Sequence, residues 1–155
     1  MRFTITNDLK QNPLMRLILM GLIFFILIYL FADIFVKFKN FGISVSMVKL
    51  TLFGDEDEFI EPLPEASFLE FIHSEIFFIM MVLFTLSIVF IRVTSKSKID
   101  FIIINLTMMA AIVSLITLGL SFYLSEIFVY IYIISFFLWH TLSIYISLYT
   151  LWKLR

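Results

Sequence analysis

The sequence predicts an all-α membrane protein: four transmembrane helices in an up-down bundle, with one outer loop of about 29 residues. Three observations predict it. Four apolar stretches are each long enough for a bilayer core, which takes about 20 helical residues at 1.5 Å rise. The chain is 62% hydrophobic with a mean hydropathy of +1.08, more than a soluble core of this size could hide. The charges between the stretches are sorted by sign. Eight of the eleven Lys/Arg fall at the amino end (Arg2, Lys10, Arg16), in the middle connector (Arg92, Lys96, Lys98) and at the carboxyl end (Lys153, Arg155). Ten of the twelve Asp/Glu fall in the other two connectors and the helix ends beside them. Because Lys and Arg are retained on the cytoplasmic side, the expectation is a multi-pass protein of the inner membrane with both termini in the cytoplasm.

Span 1 is expected over about residues 13–37. Asn12 can cap it and Pro13 suits its first position. Asp33 and Lys37 stand at i,i+4 spacing near its outer end. The apolar run from Leu14 to Val36 is too long for a signal-peptide core and no small-residue cleavage site follows, so it reads as an uncleaved span. The outer loop, residues 38–66, divides in two. Gly42 to Phe53 is apolar enough to lie on the membrane surface as a short helix or strand, with Gly54 ending it. The acidic run Asp55-Glu56-Asp57-Glu58 follows, with Glu61 and Glu65 after it.

Span 2, about 67–92, opens on the capping-box pattern Ser67-Phe68-Leu69-Glu70. Span 3, about 98–123, has a weaker version in Ser97 and Asp100. Span 4, about 126–152, follows a tight turn at Leu124-Ser125-Glu126, which makes spans 3 and 4 antiparallel neighbours. It ends on Trp152-Lys153, suited to the interface. Thr107, Ala110, Ser114, Thr117 and Ser121 form a small-residue stripe on span 3, and His140, Ser143 and Ser147 share a face of span 4. In lipid such stripes let helices approach closely. All four spans form one domain.

Cysteine is absent, which removes disulfides, thiolate metal sites and covalent haem attachment. No nucleophile elbow, phosphate-binding glycine loop or zinc-protease motif occurs, which favours a non-catalytic role and leaves the question of an enzyme open. No basic patch with interleaved aromatics points to nucleic acid. The expected partners are the lipid bilayer and a membrane protein or a second copy of the chain. The expected role is a non-catalytic accessory, scaffold or interaction subunit.

The residues that carry alternatives are few. His73 and His140 both fall in expected spans, where ionisable groups are functional suspects. Imidazole is the usual haem b ligand, so a small b-type electron carrier is the second reading. Depth works against pairing the two. Counted from Ser67 and Glu126, His73 lies about 9 Å in and His140 about 21 Å in. Met80, at about 20 Å, matches His140 better, as do Met108 and Met109, although methionine is also common filler. As packing groups, the histidines would be satisfied by carboxylates near His73 and by a neighbouring Ser or Thr near His140.

A third reading is passage of a proton or cation from Glu70, His73 and Glu75 through His140, Ser143, Ser147 and Thr150. Against it, no carboxylate is expected at the midplane and no helix is broken by Gly/Pro pairs. Asp55, Glu56, Asp57, Glu58, Glu70 and Glu75 are expected to form an outer acidic contact surface. The run could also hold a divalent cation, but it lacks the residue order of a calcium loop.

Overall fold

The computed structural model describes residues 12–57, 59–94 and 97–155. Among these are five helices: α1 (Pro13–Asn40), α2 (Val45–Phe53), α3 (Glu65–Val93), α4 (Lys98–Tyr123) and α5 (Phe128–Leu154). All but α2 are long and apolar enough to cross a membrane.

The helix starts follow from local chemistry. Asn12 accepts from the backbone N–H groups of Leu14 and Met15, satisfying donors that a helix start leaves free, and Pro13 occupies the first turn. Ser97 and Asp100 form a complete, reciprocal capping box. The expected box at Ser67 does not form. Pro64 fixes the chain one residue before Glu65, and α3 begins there without a side-chain cap. Likewise α5 starts at Phe128, after a turn that takes in Glu126.

The apolar half of the outer loop is helical. Ser44 caps α2, and Gly54 ends it at φ +72°, ψ −172°, a conformation open essentially to glycine alone. A methyl group there would also meet the carbonyl oxygen of Ile60.

α5 is the hub, packing against α1, α2, α3 and α4. Its closest neighbour is α4, along a seam of small residues. Thr107, Ala110, Ala111, Ser114, Thr117 and Ser121 are buried on α4, as are Ser135, Ser143, Ser147 and Thr150 on α5. Most of the seam hydroxyls donate to carbonyls of their own helix, as Thr107 does to Ile103 at 2.7 Å and Thr150 to Ile146 at 2.6 Å. The seam therefore holds by close contact rather than by hydrogen bonds between helices.

Two apolar clusters fill the bundle. One is largely aliphatic and includes Ile23, Leu30, Leu83, Leu86, Ile104 and Ile146. The other lies at the α2 end and is aromatic-rich, with Phe41, Phe68, Tyr132 and Phe136 around Val48 and Leu52 of α2. The candidate site lies where the two clusters meet.

Candidate functional site: a buried ion quartet

Four side chains from three helices converge between the clusters. Asp33 and Lys37 come from α1, Glu75 from α3 and His140 from α5. The Lys37 ammonium donates to Asp33 Oδ2 at 2.7 Å and to Glu75 Oε2 at 2.6 Å. His140 Nε2 lies 2.9 Å from the same Asp33 Oδ2, and its Nδ1 donates to the Phe136 carbonyl at 2.9 Å. No side chain of the four is more than 11% exposed.

Helix geometry explains the convergence. Asp33 and Lys37 are one turn apart and so share a face. Lys37 continues the buried stripe of Ile23, Ile26 and Leu30. Glu75 continues the stripe of Phe68, Ile79, Leu83 and Leu86. His140 lies on the inward face of α5 with Phe136 and Ser143.

Phe136 serves three of these contacts. Its carbonyl receives His140, its ring packs 4.1 Å from the imidazole, and the Lys37 ammonium stands 5.2 Å from the ring centroid. Aromatic faces attract cations in that geometry. Trp139 covers His140 from another side at 3.7 Å between ring centroids.

Several expectations change here. Glu75 does not join an outer acidic surface, because it is buried and bound to Lys37. His140 is satisfied by Asp33 and a backbone carbonyl, not by a neighbouring Ser or Thr. His73 is exposed on α3, and haem ligation by His140 would have to displace Asp33 or the Phe136 carbonyl. Met80 is 44% exposed and lines, with Met108, an apolar groove of about 350 Å³ between α3 and α4. Met109 is exposed. Among the described residues, no group of three or more His, Asp or Glu is arranged to hold a metal ion.

The expected polar path changes too. Asp33, which that path did not include, contacts His140. The inward branch of the path is not a connected chain, however. Ser147 and Thr150 donate to their own helix, and Ser143 Oγ has no partner in the protein, nor does Trp139 Nε1.

Along their own helices Asp33 and His140 lie at different distances from the neighbouring helix ends. His140 is about 18 Å along α5 from Phe128, while Asp33 is about 10 Å from the end of α1 at 1.5 Å per residue. Around them, Val129 and Tyr132 of α5 pack in one cluster with Val48 and Leu52 of α2 and Phe41 at the end of α1.

The described residues of the acidic turn are hydrogen-bonded to one another. Asp55 and Ile60 exchange two backbone hydrogen bonds of 2.9 Å, and the Asp57 N–H donates to Asp55 Oδ1 at 2.8 Å. Glu56, Asp57 and Glu70 are exposed and Asp55 is half-buried; Glu58 lies outside the described residues. The turn holds Phe59 at φ +56° and 94% exposed, a feature no periodicity could reveal. Nearby, Lys49 of α2 pairs with Glu126 at 2.9 Å. The hydrogen bond to Glu126 raises the Lys49 ammonium above its ordinary value.

The model of the Aq_1264_TM family, a transmembrane helical domain, matches residues 42–155, well over half of the chain. The chain belongs to that family. It is a multi-pass membrane protein, and its apolar helix faces meet the lipid bilayer. Within the Aq_1264_TM match lie α2 to α5, with Glu75 and His140. Helix α1, with Asp33 and Lys37, lies outside it, so the quartet joins the matched domain to the helix before it. No curated protein and no solved structure matches the chain.

Proposed function

We propose that the protein is a non-catalytic interaction or accessory subunit of the inner membrane. Its acidic turn is the docking surface for a membrane-protein partner that presents basic groups around an apolar pocket. The observation that carries this reading is Phe59. A large aromatic at positive φ is strained, and this one is held almost fully exposed on a pinned turn among Glu56, Asp57 and Glu61. Among the described residues Phe59 has almost no contact that would repay that placement, whereas an aromatic anchor with a charged rim suits a partner's pocket. The polar groups of the core, by contrast, are largely matched internally.

The test is a photo-activatable residue in place of Phe59 in living cells. The expected result is a cross-link to one protein, a second copy of the chain included, that is lost in a Glu56→Lys/Asp57→Lys variant. Cross-links to lipid alone, or adducts indifferent to the charge reversal, would overturn the reading.

The proposed orientation, with both termini cytoplasmic, rests on the distribution of Lys and Arg. The chain has no cysteine, so single cysteines at Glu56 and Lys153 can be probed with an impermeant thiol reagent. Labelling of Glu56→Cys alone from outside is expected, and labelling of Lys153→Cys alone would reverse the orientation.

A further inference from the structure

We propose that the quartet is a binding site for one exchangeable proton, carried on His140 between Asp33 and the Phe136 carbonyl, and that this proton holds α1 against α5. The inference stands apart from any partner at the acidic turn.

Hydrogen-bond valence carries it. A carbonyl oxygen only accepts, so Nδ1 must bear a hydrogen towards Phe136. A neutral imidazole has one N–H, which would leave Nε2 as a bare acceptor. Yet Nε2 faces Asp33 Oδ2 at 2.9 Å, and an ionised carboxylate also only accepts. One extra proton must lie in that contact. The Lys37 ammonium indicates which side holds it. It donates to the same Oδ2 at 2.7 Å, so that oxygen receives two donors, as a carboxylate does and a protonated hydroxyl oxygen does poorly. The proton therefore sits on Nε2, and His140 is an imidazolium.

Charge balance requires the same number of protons, and the hydrogen bonds place the shared one on His140. With Lys37 and His140 positive and Asp33 and Glu75 negative, the quartet is neutral, as burial among two apolar clusters requires. Remove one proton and the site carries −1, with two acceptors facing each other at hydrogen-bond distance.

The remaining titratable groups around the site do not alter this count. Tyr29 of α1 and Tyr132 of α5 are phenols, which ordinarily bear no charge near neutral pH. Helix α4 has Lys98, Asp100 and Tyr123 only in its end turns, and Lys49 of α2 is engaged with Glu126. Above the range in which a free imidazole titrates, the joined helices would hold one proton more than separated ones, so their association weakens as pH rises through that of the bound ring. At the acid end, protonation of the carboxylates would remove the ion pairs instead.

The test uses ¹⁵N-histidine labelling of the full chain in nanodiscs, in a His73→Gln background so that His140 alone reports. The expected spectrum near neutral pH has both ring nitrogens protonated, changing to the split pattern of a neutral ring as pH rises. In Asp33→Asn the side-chain amide can donate to a bare Nε2, so the neutral pattern should persist throughout. A neutral ring at every pH with Asp33 present, or an unchanged titration in Asp33→Asn, would overturn the proposal.

Should Asp33→Asn fail to fold, spin labels at Phe35→Cys and Ile134→Cys, both on exposed positions, report the α1–α5 distance with the quartet intact. The distance should lengthen or broaden as the proton leaves. A distribution that stays fixed while the ring titrates would contradict the claim that the proton holds α1.

Discussion

The α4–α5 seam and the junction of α1 and α3 with α5 solve the same problem by opposite means. Along the seam, Ala110, Ala111, Ser114 and Thr117 let two backbones approach, and most hydroxyls turn back on their own helices. At the junction, four ionisable groups bridge three helices within 3 Å contacts. The seam tolerates small changes because no contact in it depends on another. The junction does not, since each charge is neutralised by groups on other turns or other helices. The comparison separates packing, which holds under most conditions, from a charge-balanced contact that conditions can break.

The largest expected effect comes from unbalancing the junction. Lys37→Met leaves Asp33 and Glu75 with a single positive partner and should destabilise the bundle by about 3–5 kcal/mol, as for other broken buried pairs. Thermal unfolding in detergent measures it, and a second substitution, Glu75→Gln, should recover much of the loss by restoring neutrality. Next is overpacking of the seam. Ser114→Leu should cost about 1–3 kcal/mol by forcing α4 from α5, with no change in pH dependence.

Removing a seam hydroxyl should matter less. Thr150→Val deletes a bond that the helix makes to itself, and the loss should not exceed about 0.6 kcal/mol, a typical value for polar contacts in membranes. The smallest effect belongs to the exposed pair. Lys49→Ala should leave stability within error at ordinary ionic strength, because solvent and salt screen that contact.

Much of the fold was legible because membrane helices announce themselves by length and by their ends. Asn12, Ser97 with Asp100, and Gly54 each act as local chemistry predicts. Ser67 misled because Pro64 sets the start of α3 before the serine can serve. The seam was legible as well, since small residues at three- and four-residue spacing stand out among Phe, Ile and Leu.

The junction was only half legible. His140 stands out as a deep polar group, and the Asp33–Lys37 spacing is plain in the sequence. Their meeting depends on how α1 and α5 are registered against each other, which no single stretch encodes. Glu75 was grouped with the outer acids by its sign. Its register with Phe68, Ile79 and Leu83 pointed inward, but in a helix that is apolar on every side that register is faint.

The central claim is that Asp33 and His140, 107 positions apart, are bound to each other inside the bundle. A double-mutant cycle with Asp33→Ala and His140→Ala, read by unfolding in detergent, tests it most directly. The account predicts a coupling of about 0.5–3 kcal/mol, the range for residues in direct contact. Strictly additive losses would contradict it.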